Sequence, residues 1–475
     1  MVCKGENRKT MDHTSARQVD LMHGPIFRNL LIFAIPIFIS NLFQQLYNAA
    51  DTMIVGNILG DTSLAAVGAC GSIYELLVGF GLGIGNGLAI VTARAYGAGD
   101  ADKVKKTVAG SIVIGLVASA LISGVGLVFL YPLLEALDTP PEIIAEAYSY
   151  IQPIAQYVVV MFAYNLCAAL LRAVGNSVMP LVFLIFSSCL NVALDYWFVA
   201  GLGMGVRGAA LATVLSQAVS VVLCILYIAR CARHLVPGRQ HFSVGKNLYR
   251  ELVTQGLSMG LMSSIVSAGS VILQYGINSL GTLVIAGHTA ARKLFTFTDM
   301  PVIAMATAGS TFVSQNRGAD KPRRIRQGMR QIWLFALGTA VVMTVLMWLY
   351  AGVLVGLISG STQPVVLENG ARYLRWTAPF YSVLGVLLST RYALQSLGQK
   401  VLPLISSGIE LVGKILFMLF FIPRFGYNAV ILCEPVIWCF MCAQLVWSYW
   451  TDPYIKASRE PEACAQQQDK ICRMR

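Results

Sequence analysis

Long apolar runs recur along this chain, each about as long as a bilayer core is thick, roughly 20 residues in a helix. The chain has 475 residues, of which 56% are hydrophobic and only 12% are charged. A soluble domain carries about 25% charged residues. The runs are continuous and do not alternate, so they are not the strands of a membrane barrel. Because a backbone in lipid must satisfy its own hydrogen bonds, each run predicts a membrane-spanning helix.

We expect an all-α integral membrane protein with twelve transmembrane helices. The first apolar run, from Ile26 to Ala50, is too long for the core of a cleavable signal, so we interpret it as the first helix. The predicted spans are 27–48, 66–90, 107–131, 150–172, 179–200, 208–229, 256–279, 290–312, 332–357, 375–396, 402–422 and 428–450.

Basic residues alternate between the loops, and this alternation predicts the orientation of the helices. They cluster in the N-terminal segment, the second loop, the central connection and the loop after helix eight, whereas the third loop is acidic. Basic loops stay in the cytoplasm, so we expect a multi-pass protein of the cytoplasmic (inner) membrane with both termini inside. The net charge of +12 then requires no nucleic-acid partner, and the lipid bilayer is the expected surrounding.

The second half of the sequence repeats the first. The stretch GNILGDTSLAA from Gly56 matches INSLGTLVIAG from Ile277 at a shift of 221, and GNSVMP from Gly175 matches GQKVLP from Gly398 at a shift of 223. Six helices per half predict a parallel internal repeat of two six-helix lobes, an arrangement that suits alternating access. The expected divisions are a cytoplasmic N-terminal segment 1–26, an N-lobe 27–229, a basic cytoplasmic linker 230–255, a C-lobe 256–450 and a cytoplasmic tail 451–475.

Ionisable side chains within membrane helices are functional candidates because they are costly to bury. Asp51 lies within helix one or at its outer end, and Asp195 lies near the middle of helix five with Asn191 one turn before it. Thr213 and Asn165 add polar groups in helices six and four. This set predicts a proton or sodium site, because either ion relieves the cost of buried carboxylates. A helix-end cap for Asp51 and a structural hydrogen-bond anchor for Asp195 are the alternatives.

The second half carries different charges. Glu410 and Lys414, spaced i,i+4 in helix eleven, fit an internal ion pair that is either structural or in contact with substrate. Asp299, two residues before Pro301 in helix eight, and Glu434, before Pro435 in helix twelve, are candidates for a cavity wall.

No motif in the sequence indicates catalysis. The run GFGLGIGNG at 79–87 formally satisfies GxGxxG, but it lies inside an apolar span without the strand that a phosphate site requires. We interpret its glycines as points of close helix approach. With no catalytic Ser/His/Asp set, Walker loop or metal cluster, we expect no enzyme, no cofactor and no bound metal beyond a possible Na⁺.

Several segments resemble the multidrug and toxic compound extrusion (MATE) family, over about residues 24–450. They are IPIFISNLFQQLYNAADTMIVGNILG, LAAVGA, ARAYGAGD, LRAVGNSVMP, LNVALDYWFV, GVRGAALAT, SQNRGAD and LQSLGQKVLP. The resemblance implies a V-shaped transporter with two lobes. It also implies antiport of cationic, amphipathic drugs or toxic organic cations against H⁺ or Na⁺, with the chain functional as a monomer.

The resemblance also assigns site residues. It places the N-lobe cation site of the family at Asp51, Asn191, Asp195 and Thr213, with Tyr47 and Asn165 at neighbouring polar positions. One branch of the family has a glutamate in helix seven, but the stretch GLSMGLMSSIVSAGS here has no acid. Ion coupling is therefore expected to depend on the N-lobe, with helix one bending near Pro36.

A substrate cavity is expected between the lobes, with methionine and aromatic side chains as an adaptable wall. Ordinary core packing is the alternative for each. The candidate residues are Gln45, Met161, Phe162, Tyr275, Asp299, Tyr381, Glu410 and Lys414.

The main competing function is that of a flippase for lipid-linked oligosaccharides or other lipids, which related folds perform. A flippase for anionic headgroups should line its cavity with several Arg or Lys, whereas the mid-membrane cations here are few, mainly Lys414, Arg292 and Lys293. A membrane enzyme or receptor would need a catalytic cluster or a sizeable soluble domain, and the sequence indicates neither.

Overall fold

The computed structural model describes residues 18–137 and 139–457, and within these ranges the regular structure is entirely helical. The expected all-α class is therefore confirmed. Most of the predicted segment 1–26 and of the predicted tail 451–475 lies outside the described residues.

Eight α-helices make up the first half of the chain, which we call the N-half. They are α1 Ile26–Leu59, α2 Asp61–Ala69, α3 Gly71–Gly97, α4 Ala101–Ala136, α5 Pro141–Gln156, α6 Val158–Ala173, α7 Val178–Asp195 and α8 Gly205–Cys231. A π-helical turn, Tyr196–Gly201, continues α7, and two 3₁₀ turns, Arg233–Leu235 and Arg239–Phe242, follow α8.

The remaining helices form the C-half. They are α9 Lys246–Asn278, α10 Thr282–Gly318, α11 Pro322–Ser359, α12 Pro364–Thr377, α13 Tyr381–Leu397, α14 Val401–Leu416, α15 Ile422–Phe425, α16 Tyr427–Thr451 and α17 Pro453–Ala457. A 3₁₀ turn, Ala378–Phe380, joins α12 to α13, and a π-helical turn, Phe417–Phe421, joins α14 to α15.

Helical segments occupy all twelve predicted spans. In the part of the chain that the structure describes, nine helices are long and apolar enough to cross a membrane, and α5 and α6, bent by 51° at their break, form a tenth if they are taken as one span. The break lies at Tyr157, one turn after Pro153. The more polar helix α10 and the α12–α13 pair complete the set, so this is a multi-pass membrane protein.

Helix α1 is longer than the predicted span 27–48, because its polar segment QQLYNAAD remains helical and the helix continues to Leu59. Gly60 then ends the helix with φ of 88°, a left-handed conformation that favours glycine. The difference in length matters for the candidate site, since it places Asp51 inside the helix.

Backbone details recur between the halves at the shifts found in the sequence. Gly60 and Gly281 have φ of 88° and 95°, and Gly175 and Gly398 have φ of 90° and 100°. The two π-helical turns likewise follow corresponding helices, α7 and α14. The two halves are therefore parallel copies of one scaffold. The exact lobe and linker boundaries remain a prediction, and α9 already begins at Lys246.

The halves meet along α3 and α9, where glycines permit contact between backbones. A Cβ atom at Gly83 would lie 2.6 Å from the Met259 carbonyl oxygen, and one at Gly87 would lie 2.6 Å from the Gln255 carbonyl oxygen. The interpretation of the glycines in the run 79–87 as points of close helix approach is confirmed at Gly83 and Gly87.

The contact between halves is tightest at the end of the bundle that carries the basic loops. A Cβ atom at Gly97 would lie 1.9 Å from the Gln315 carbonyl oxygen, and one at Gly318 would lie 2.0 Å from that of Arg94. Gln315 Nε2 also donates to the Ala173 carbonyl across the interface at 2.8 Å. The cleft between the halves is therefore closed at this end.

Candidate functional site

Asp51 and Asp195 form a carboxyl pair inside the N-half. Asp51 lies within α1 and does not cap its end. Asp195 is the last residue of α7, nearer the end of the fifth span than its predicted middle, and it is fully buried. The two carboxyls are close electrostatic neighbours, and two carboxyls can hydrogen-bond each other only when one of them carries a proton.

The carboxyl pair lacks hydrogen-bond donors. Within the described residues no N–H or O–H group donates to the buried Oδ1 of Asp51 or to either carboxylate oxygen of Asp195. Buried charges without partners are strongly unfavourable. A proton or a metal cation would remove this cost, so the geometry suits a group that binds and releases a positive charge.

Asn191 and Thr213 extend the site one helical turn from Asp195. Asn191 Nδ2 donates to Thr213 Oγ1 at 3.4 Å, and Thr213 Oγ1 donates to the Ala209 carbonyl at 3.2 Å. The Oδ1 atom of Asn191 is buried and accepts no hydrogen bond from a described residue. Carboxylate, amide and hydroxyl oxygens are hard ligands. These oxygen atoms therefore fit a proton or Na⁺, and the described ranges contain no group of three or more His, Cys, Asp or Glu side chains arranged to hold a metal ion.

Three tyrosines surround the pair. The Tyr47 hydroxyl reaches Thr213, and its ring lies near Asp51. Tyr74 and Tyr150 are also electrostatic neighbours of Asp51. Sequence reasoning missed Tyr74 and Tyr150, and the one available signal was that a buried tyrosine hydroxyl usually needs a polar partner.

Asn165 lies beside this group. Its Nδ2 donates to the Met161 carbonyl at 2.8 Å, and both residues line a narrow cavity shared with Tyr47 and Tyr74. Gln217 lines the same cavity, and its Oε1 is buried without a described donor. The structure thus brings together Tyr47, Asp51, Asn165, Asn191, Asp195 and Thr213, the six residues predicted for the cation site.

A π-helical turn begins directly after Asp195. Such turns displace the residues around them and occur frequently at functional sites. The turn Tyr196–Gly201 changes the direction of the side chains that follow the aspartate. Its position at the carboxyl pair is consistent with a helix segment that can change conformation.

Three other residues predicted for a substrate cavity, Gln45, Phe162 and Tyr275, lie on three different helices. Phe162 is buried, and its ring approaches Gly115 so closely that a Cβ there would lie 2.3 Å from Phe162 Cε1. Gln45 is half-buried on α1, and Tyr275 on α9 is 74% exposed. Phe162 thus serves core packing in this conformation.

Glu410 and Lys414 form the predicted ion pair. Lys414 Nζ lies 3.0 Å from Glu410 Oε1, and Arg391 Nη2 lies 3.7 Å from Glu410 Oε2. Arg391 also donates to Ser406 Oγ at 2.9 Å. The side chains of all three charged residues are nearly buried, so one carboxylate balances two cations.

A second polar cluster in the C-half contains Glu434 and Asp299. Arg292 Nη1 lies 2.7 Å from Glu434 Oε2, which also accepts a hydrogen bond from the Tyr373 hydroxyl at 2.8 Å. Asp299 is an electrostatic neighbour of Arg292, and its Oδ1 is buried without a described donor. The buried Tyr381 lies beside Asp299. Both acids predicted for a cavity wall therefore belong to one cluster.

Two charged C-half residues, Lys414 and Glu434, correspond in the repeat to two uncharged residues of the N-half site, whereas the positions of Asp51 and Asp195 correspond to Ile272 and Met418. At the repeat shifts of 223 and 221, Asn191 corresponds to Lys414 and Thr213 corresponds to Glu434. These two positions therefore hold an amide and a hydroxyl in the N-half and ion-paired side chains in the C-half.

Comparison with known proteins agrees with this architecture. The MatE family model matches residues 36–197 and again residues 259–420. The chain is 27% identical over 371 residues to the probable multidrug resistance protein YpnP of Bacillus subtilis, covering 77% of this chain and 82% of that one. It is 24% identical over 433 residues to the multidrug export protein MepA of Staphylococcus haemolyticus, covering 89% and 92%.

A solved structure described as the outward-facing conformation of a multidrug resistance MATE family transporter of the MOP superfamily shares the fold. The TM-score is 0.84 at 22% sequence identity, over 91% of this chain and 97% of that one.

Proposed function

The chain belongs to the MatE family, and from that premise we propose that it is a multidrug efflux transporter that exports small molecules across the membrane in which it is embedded. The names of its curated relatives, which include probable multidrug resistance and multidrug export proteins, support this proposal.

We propose further that inward flow of H⁺ or Na⁺ drives the transporter and that its substrate is a cationic amphipathic compound. The observation that carries the coupling proposal is the carboxyl pair of Asp51 and Asp195, which is buried and without hydrogen-bond donors. When both carboxyl groups are ionised, such a pair binds a metal cation favourably. When the two groups share a single proton, the pair binds that proton favourably. Neither ion acts as a resident cofactor, since each is released in every cycle.

The conformation suits the outward-facing state of this cycle. If the basic loops and both termini are cytoplasmic, the tight contacts at Gly97 and Gly318 close the cytoplasmic side. Binding of the ion at Asp51 and Asp195 then rearranges the N-half, with α1 bending at Pro36, where the helical ladder lacks a donor. The drug leaves outward, and the halves rock to reload from the cytoplasm or inner leaflet.

The C-half supplies the wall against which the N-half moves. Three of its cations are paired with carboxylates, Arg292 with Glu434, and Lys414 and Arg391 with Glu410. A flippase for anionic headgroups would need several free cations in its cavity, so these pairs favour drug efflux over the flippase alternative.

Purified protein in proteoliposomes loaded with ethidium, with an imposed proton or sodium gradient, tests the proposal. We expect export driven by one of the two gradients and abolished by an ionophore that dissipates it. Liposomes without protein provide the control for leakage. Absence of export under either gradient, together with gradient-independent movement of fluorescent lipid between leaflets, would favour the flippase.

A further inference from the structure

A small polar chamber lies between the two halves, at the closed end of the cleft. Helices α3 and α6 of the N-half and helices α9, α10 and α13 of the C-half form its walls. The chamber measures about 60 Å³, room for a few water molecules, since one water needs about 10–15 Å³ by this measure. It therefore accommodates a small group and excludes a whole drug molecule.

The one charged side chain among the residues that line the chamber is Arg172. No described residue forms an ion pair or hydrogen bond with its guanidinium, and its main electrostatic neighbour is the phenol of Tyr164. Arginine does not lose its proton in proteins. The charge at this position is thus permanent, in contrast to Arg292 and Arg391, which face glutamates.

The rest of the chamber is rich in groups that donate hydrogen bonds. The amide of Asn86 and the hydroxyl of Tyr392 line it and bond to no described residue. Ser314 Oγ, also in the wall, is buried without a partner. No carboxylate lines the chamber. A fixed positive charge among free donors is the arrangement that recognises an anion.

The position of Arg172 at the end of a helix is the simplest alternative explanation for a positive charge here. Arg172 lies in the last turn of α6, where the negative end of the helix dipole favours a cation. The helix dipole explains why a positive charge is tolerated at the end of α6. It does not explain why free donors from both halves surround the charge.

We propose that this chamber binds an anionic group, a carboxylate or a phosphate, held by Arg172 between the two halves. The anion is either part of a solute bound in the cleft or the headgroup of a lipid, and it would bridge α6 to α10 and α13. The site is separate from the Asp51–Asp195 pair. Because its test measures binding without transport, its failure leaves the efflux proposal untouched.

Thermal unfolding of the purified full-length protein in detergent, followed by tryptophan fluorescence, tests the site. Inorganic phosphate is titrated at pH 7 against sodium methanesulfonate at matched ionic strength. Arg230→Gln is the matched control, because Arg230 also lies in the last turn of an N-half helix but is exposed. We expect phosphate to raise the unfolding temperature of the wild type and of Arg230→Gln. Arg172→Gln should lose the effect or require about tenfold more phosphate.

A wild type that does not respond to phosphate, or an Arg172→Gln variant that responds like the wild type, overturns the proposal. If Arg172→Gln does not fold, Tyr392→Phe replaces it, since this change removes only a hydroxyl. Weaker phosphate binding by Tyr392→Phe supports the site, and unchanged binding contradicts it.

Nanodiscs distinguish the two sources of the anion. A phosphate response that persists equally in phosphatidylcholine discs and in discs containing phosphatidylglycerol assigns the site to a solute. A response lost only in the phosphatidylglycerol discs assigns it to a lipid headgroup.

Discussion

The carboxyl of Asp51 in α1 is a close electrostatic neighbour of that of Asp195 at the end of α7, and no described group donates a hydrogen bond to the buried Oδ1 of Asp51 or to either carboxylate oxygen of Asp195. The π-helical turn Tyr196–Gly201 starts directly after the second of these residues, and Asn191 lies one turn before it. In the proposed cycle, the positive charge would therefore bind where two helices and a π-helical turn meet.

Replacing Asp195 with asparagine should not destabilise the fold. The side-chain amide introduced by Asp195→Asn would supply an N–H donor to Asp51 without a bound proton, and one buried carboxyl would be removed. We expect this variant to raise the free energy of unfolding by about 1 kcal/mol, measured as a higher unfolding temperature in detergent. Asp61→Asn, at an exposed aspartate of the same half, should leave it unchanged. A clear loss of stability in Asp195→Asn would indicate a structural anchor.

The C-half ion pair should respond unequally to removal of its two members. Glu410→Gln leaves Lys414 and Arg391 buried without a carboxylate, which typically costs about 3–5 kcal/mol. Lys414→Met leaves Glu410 paired with Arg391, so its effect should be much smaller. Unfolding temperatures of the two variants in detergent measure the difference, and equal losses would contradict the shared-carboxylate arrangement.

The closed end should not tolerate a methyl group at Gly97. A Cβ atom there would lie 1.9 Å from the Gln315 carbonyl oxygen, and such overpacking costs about 1–3 kcal/mol. We expect Gly97→Ala to unfold at a lower temperature and to slow drug efflux.

Gly124→Ala is the matched control for that substitution, because a Cβ at this helical glycine meets no atom within 4 Å. It should be neutral or stabilising by up to about 1 kcal/mol. Identical unfolding temperatures for the two variants would mean that the closed end is not tightly packed.

Acid should weaken the packing of the connection between the halves. Burial, with a smaller contribution from Lys105, lowers the pKa of the His234 imidazole below its ordinary value of 6.5. The unfolded chain then binds more protons than the folded protein below pH 6.5. The stability that His234 contributes is full above this pH and declines as pH falls towards the folded pKa. Between pH 7 and pH 5, the unfolding temperature should drop further for the wild type than for His234→Asn. Parallel curves for the two proteins would refute this assignment.

Much of the architecture could be predicted from the sequence, because apolar length and loop charge act locally. The run from Ile26 predicts a helix regardless of its neighbours, and the i,i+4 spacing places Asn191 on the face of Asp195. Helix length was less predictable, since nothing in QQLYNAAD distinguishes a helix end from a helix that passes through a polar site.

Contacts between distant helices could not be predicted in this way. Tyr150 lies near Asp51 only because the folded bundle brings α5 close to α1. Arg172 ends a predicted span within the motif LRAVGNSVMP, so the sequence offers no reason to place it in a chamber. Exposure, too, depends on the tertiary arrangement, and Tyr275 is largely exposed on α9 although its type suggests a packed wall.

The most direct test of the account compares gradient-driven ethidium export from proteoliposomes by the wild type, Asp195→Asn, Asp51→Asn and the control Asp61→Asn. The carboxyl pair should be required for coupling, so both pair variants are expected to fall to the background of protein-free liposomes while Asp61→Asn matches the wild type. Export at the wild-type rate by both pair variants, under the same gradient, would contradict the role of Asp51 and Asp195 in ion coupling.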